Sequence, residues 1–165
     1  MPNWCSCELT LNGPQNEMNK FNSENLDNDN DIDFNLGVPF PDSLDFDTHW
    51  YNWRLSQWGT KWSACDTIIN HIWDKKDTSL LTEISYLFNT AWSPPIPWVL
   101  KISEKYPEIR FKLKYEEINL NFSGIYIVKN GVKLLDENGI HGEYYGEIYH
   151  SEDDTEDTSE DEDTV

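Results

Sequence analysis

Three observations predict an α+β fold in which helices pack on one face of an antiparallel sheet. Alternating apolar runs lie near the start of the chain and around residues 109–116, an amphipathic helix begins at a proline cluster between them, and an Asn-Gly hairpin follows. The first strand is NWCSCELTLNG, with Cys5, Cys7, Leu9 and Leu11 on one face, Trp4, Ser6, Glu8 and Thr10 on the other, and Asn12-Gly13-Pro14 as the turn. Residues 14–26 follow as a helix, with Met18, Phe21 and Leu26 roughly on one side. DNDNDID at 27–33 is read as a solvated polar insertion and GVPFPDSL as an extended segment bounded by prolines.

In HWYNWRLSQWG, Trp50, Trp53, Arg54, Gln57 and Trp58 recur at helical spacing, and Gly59 supplies the stop. A second strand is expected over about 62–73 and a third in SYLFNTAW, with Tyr86, Phe88, Thr90 and Trp92 on one face. The next helix starts in SPPIPW, with Ser93 as N-cap, Pro94 or Pro95 in the first turn, and Pro95, Trp98, Val99, Ile102 and Tyr106 as its apolar stripe. IRFKLKYE places Ile109, Phe111, Leu113 and Tyr115 inward and Arg110, Lys112, Lys114 and Glu116 outward, so one sheet face stays wet. FSGIYIVKNGVKLL closes through the Asn130-Gly131 turn. The order β, α, β, β, α, β plus a terminal hairpin is that of a ferredoxin-like α+β sandwich.

A chain of 165 residues suits one domain, here residues 1–150, and an aromatic content of 14% supplies a real core. Residues 151–165, SEDDTEDTSEDEDTV, hold nine acids with no cation and no aromatic, and are expected to be a disordered acidic tail. They account for nearly half of the net charge of −19, leaving −10 on residues 1–150, where all twelve Lys and Arg lie. That excess repels phosphate backbones and anionic lipid, which argues against direct nucleic-acid or membrane binding. MPNWCSCELT has no secretory pattern and three cysteines make no disulfide framework, so a soluble, cytoplasmic protein is expected.

The familiar chemical motifs fail in turn. Asp27, Asp29 and Asp31 resemble the start of a calcium loop, but Ile32 and Val38 stand where Gly and Glu are required. Cys5 and Cys7 share a strand face without two further zinc ligands at workable spacing, so no metal or cofactor is expected. WGTKW lacks the frame of a phosphate loop, and neither G-x-S-x-G nor H-E-x-x-H occurs. Ser151, Thr158 and Ser159 each precede an acid by three residues, a pattern acidophilic kinases accept.

MPNWC, WYNWRLSQWGTKW, FNTAWSPPIPW and YEEINLNFSG together resemble the YubB-type family of ferredoxin-like proteins carried by plasmids, phages and genomic islands, over about residues 1–128. The resemblance implies the fold, a mobile-element setting and a set of positions that belong together: Trp50, Trp53, Arg54, Trp58, Gly59, Thr60, Lys61 and Trp62 in one block, Thr90, Ala91, Trp92, Ser93, Pro94 and Pro95 in another, with Glu116 and Gly124 beyond them. Cys7 departs from the asparagine that the family tends to place after its Trp-Cys pair.

WYNWRLSQWGTKW carries four of the chain's eight tryptophans, and tryptophan at helical spacing most often builds core. Arg54 and Lys61 fit that account only if they find carboxylates such as Glu116 or Glu117. The functional alternative gathers Trp58, Lys61, Trp62 and Trp92 into one cleft at the start of the proline-led helix, suited to a small anionic or planar ligand. Two other classes stand beside it: an acidic interaction module or nucleic-acid mimic that engages host proteins, and an enzyme of unknown reaction using Lys61 and Glu116. The enzyme ranks below a non-catalytic binding protein, because an ordinary ion pair uses the same two residues.

Overall fold

The computed structural model describes residues 3–72 and 81–143. The acidic segment 151–165 with its candidate kinase sites, the expected boundary at residue 150 and the expected last residue of the second strand lie outside them. The elements run β1 (Trp4–Pro14), α1 (Gln15–Asn25), α2 (Phe34–Gly37), α3 (Phe46–Gln57), β2 (Cys65–Ile72), β3 (Leu81–Ala91), α4 (Ile96–Lys105), β4 (Arg110–Glu117), β5 (Phe122–Lys129) and β6 (Val132–Gly139). They form a six-stranded antiparallel sheet in the order β2-β3-β1-β4-β5-β6. Strands β1 to β4 with α1 and α4 make the ferredoxin-like βαββαβ unit, α2 and α3 are inserted between α1 and β2, and β5 and β6 extend the sheet beyond β4.

Alternation in the sequence decides which face is covered. Cys5, Cys7, Leu9 and Leu11 of β1, Ile84, Tyr86 and Phe88 of β3, and Phe111, Leu113 and Tyr115 of β4 are buried in register beneath the helices. Met18 and Phe21 of α1 and Trp98, Val99 and Ile102 of α4 close the core from the other side. Burying a large apolar side chain contributes about 1.5–3 kcal/mol, so this layer dominates stability. The opposite sheet face carries no helix; it presents Trp4, Ser6 and Glu8 of β1 and Arg110, Lys112, Lys114 and Glu116 of β4. No helix among the described residues is long and apolar enough to cross a membrane.

The structure corrects several sequence expectations. The 27–33 insertion is not wholly solvated, because Ile32 and the following Phe34 are fully buried, and Phe34 starts a short helix absent from the sequence prediction. That ring packs on Trp98 at 4.7 Å, Trp58 at 5.9 Å and Phe88 at 6.2 Å, tying the insertion to the core. Strand β2 begins at Cys65 rather than near Trp62, after a turn that spends the intervening residues. Helix α4 is preceded by Pro95 with Pro97 in its first turn; Ser93 does not cap it, because its hydroxyl donates to the Gly59 carbonyl at 2.5 Å. The Asn130-Gly131 turn has positive φ at both residues (48° and 69°), as a two-residue primed hairpin requires.

Candidate functional site

The tryptophan-rich stretch is divided between core and surface. Trp58, the residue after α3, is 1% exposed, donates its indole N–H to the Val38 carbonyl at 2.9 Å and sits among Phe34 and Trp53. It lines no surface cleft. Trp50 and Trp53 lie on α3, half-buried, within a chain of rings that includes Phe40 and Phe46.

Arg54 belongs to that chain of rings. Its guanidinium carbon lies 4.8 Å from the Trp58 ring centroid, 5.3 Å from Trp50 and 5.6 Å from Phe46, and a guanidinium nitrogen reaches the Lys61 carbonyl at 3.5 Å. Burial lowers its affinity for the proton, with Asp33 acting in the opposite sense. Arg54 thus meets aromatic faces rather than the expected carboxylate, and its Nε is buried without a hydrogen-bond partner. Phe46, Trp50, Arg54 and Trp58 fall at four-residue spacing, which puts three rings and the cation on one stripe of the helix and its end.

After Trp58 the chain turns sharply and locks onto the end of β3. Gly59 has φ +84°, and a Cβ there would meet Pro97 Cδ at 2.5 Å and the Pro94 carbonyl at 3.0 Å, so glycine is required for this approach. Thr60, fully buried, donates its hydroxyl to the Ala91 carbonyl at 2.8 Å. Thr90 donates to the Ser93 carbonyl at 2.8 Å, and Ser93 returns to Gly59. Gly59, Thr60, Thr90, Ser93, Pro94 and the buried Pro95 therefore act as a clasp between the insertion and the start of α4.

The clasp holds Trp92 in an unexpected pose. The alternation of β3 predicts an inward ring, but Trp92 follows the last strand residue with φ +72°, its amide donates to the Asn3 carbonyl at 2.9 Å, and the residue is 46% exposed. Bulky residues rarely adopt a left-handed backbone, which costs about 1–2 kcal/mol. Close by in the sheet, Trp4 pairs in register with Ala91, and its ring stands 6.4 Å from that of Trp62. Trp4 and Trp62 are 42% and 37% exposed. Lys61 lays its ammonium 4.7 Å from the Trp62 centroid.

Three exposed tryptophans and one cation thus gather where β1 begins and β3 ends. Trp4 was not among the sequence candidates, although a tryptophan on the polar face of an alternating strand is a legible signal. Beyond the patch a groove of about 230 Å³ is lined by Ser6, Cys7, Asp66, Ile68, Leu87, Phe88 and Asn89. Ser6 donates to the Asn89 side chain at 3.3 Å, and Asp66 sits at the β2 bulge with φ +57°.

Glu116 lies on the same open face, in register with Ser6, but accepts from His141 Nε2 at 3.1 Å rather than meeting Arg54 or Lys61. Glu117 is buried and accepts the backbone amides of Asn119 and Leu120, fixing the β4–β5 turn. Gly124 leaves room for the Tyr115 ring, whose hydroxyl would lie 2.2 Å from a Cβ at that position. Cys5 and Cys7 are buried thiols. The Cys5 proton is held firmly by the Cys7 contact and by burial, while burial and the nearby Asp66 and Asp31 raise Cys65 to about 11. No cluster of three or more metal-ligating side chains occurs among the described residues.

This topology and the element order define a ferredoxin-like α+β domain. The chain belongs to the Api92-like family, since residues 70–164 match the family described as the ferredoxin-like domain in Api92-like protein. A solved structure similar to it is that of protein api92 from Yersinia pseudotuberculosis, at 14% identity and a TM-score of 0.47, covering 67% of this chain. This chain spans 39% of that chain's length. No curated protein matches it.

Proposed function

We propose that the chain is a non-catalytic binding protein whose exposed tryptophans, with Lys61, take a small planar or anionic ligand. The observation that carries this reading is Trp92: a strained backbone holds a large ring outward, where its burial contributes little to the fold. Strain of this kind, kept in place by a clasp of hydrogen bonds, suits a residue whose ring is needed at the surface. Trp4 and Trp62 add stacking area, and Lys61 adds a charge that orients an anion. The mobile-element setting and the cytoplasm of a host cell are proposed on the resemblance to the YubB-type family.

A second reading, an acidic module that docks on a host protein, is favoured by α3. This helix buries no residue and exposes Phe46, Tyr51 and Leu55. Catalysis ranks last, because Glu116 faces His141 and Lys61 faces an indole. Native mass spectrometry of the full chain after incubation with host lysate tests the proposal. A small-mass adduct on the parent chain that is lost in Lys61→Ala and in Trp92→Gly supports a ligand patch. An adduct that survives both substitutions, or a bare chain throughout, overturns it, and a protein-sized adduct moves attention to α3.

A further inference from the structure

We propose that Arg110, Lys112 and Lys129, at the far end of the open sheet face from the tryptophans, hold the acidic segment 151–165 of the same chain. Arg110 and Lys129 stand directly opposite one another on β4 and β5, and Lys112 follows two residues along β4 on the same face. Like charges placed opposite on neighbouring strands repel, so the arrangement favours an anion laid across it. Among the described residues the ion pairs are Lys133 with Asp136 and His141 with Glu116, and neither involves these three cations. Lys114, further along the row, is opposed in register by Glu8 and is excluded from the cluster for that reason.

The occupant is argued from charge and reach. Residues 151–165 carry nine acids and no cation, a complement to a cationic patch on a body that is otherwise acidic. An outside polyanion such as a nucleic acid meets the same cations but also the −10 of residues 1–150, whereas a tethered segment is already present at high effective concentration. The last described residue, Glu143, follows the end of β6, and β6 lies two strands from β4. The seven residues 144–150 have a contour of about 25 Å. The path from the Gly139–Ser123–Glu116 row to Lys112 crosses two strand spacings and four residues, about 16 Å.

Zero-length carbodiimide coupling, which joins a lysine amine to a carboxylate with loss of water, tests this on the full chain. An equal mixture of 15N-labelled and unlabelled chain is coupled at low salt and mapped by mass spectrometry. The expected result is amide links from Lys112 and Lys129 to acids of 151–165, within one isotope population and reduced about five-fold or more in 0.5 M salt. Deleting 151–165 should also raise the acetylation rates of Lys112 and Lys129 two- to three-fold, with Lys20 and Lys101 unchanged. Links spread equally over Lys20 and Lys101, or links between labelled and unlabelled chains, overturn the proposal. So does a full chain that binds a single-stranded oligonucleotide through this face as well as the deleted chain does.

Discussion

Trp58 and Trp92 are the same residue in the same family-like block pattern, yet one is spent on the core and the other on the surface. Trp58 is closed in by Phe34 and Trp53, its indole N–H is satisfied by Val38, and no strain attends it. Trp92 has a strained backbone and an exposed ring. Hydrophobicity alone sends both inward. The difference lies in the backbone bonds that surround each, which shows that a clasp of threonine and serine hydroxyls can overrule the preference of a large side chain.

That contrast sets the predictions. Trp58→Ala should destabilise the fold by about 3–5 kcal/mol through lost burial and a residual cavity, measured by urea unfolding monitored by circular dichroism. A loss under about 1 kcal/mol would mean that Trp58 is not core. Trp92→Gly should instead leave stability unchanged or raise it by up to about 1 kcal/mol, because glycine accepts φ +72° without a Cβ penalty. A large loss there would break the comparison by showing that the Trp92 ring holds the fold.

The smallest effect concerns Cys65. Its thiol is raised to about 11, so between the ordinary thiol value of 9.0 and 11 the unfolded chain gives up its proton first and stability falls as pH rises through that window. Alkylation of Cys65 at pH 8 should be slower than that of a free thiol and should climb towards pH 11. A flat profile would place the thiol outside the influence of burial and of Asp66.

The order of strands and helices was legible because each follows a simple period: Cys5 to Leu11, Phe111 to Tyr115 and the α4 stripe all obey it. Phe34 and Ile32 were not, since single apolar residues in an asparagine- and aspartate-rich segment have no period to reveal them. Nor was the pose of Trp92, which depends on Asn3, Gly59 and Thr60, partners remote in sequence. Arg54 lies between these cases. Its expected carboxylate is replaced by rings that were present in the sequence at four-residue spacing, a stripe readable as cation and aromatics together. The sheet was therefore predictable from local alternation, while the site depends on contacts that no local window contains.

One contact in the acidic insertion reaches further than its size. Asp31 accepts the amide of Thr67 at 2.7 Å, and the Thr67 hydroxyl accepts the Ile32 amide at 3.2 Å, both on β2 at the rim of the sheet. An open rim offers its amides to any extended chain that drifts past, and this is how sheets recruit copies of themselves into aggregates. Here the donor at the β2 bulge is already taken by a carboxylate that also brings negative charge to the rim. The insertion that looked like solvated filler is thus a bumper, and it lets a small, aromatic-rich protein reach high concentration without adhering to its neighbours.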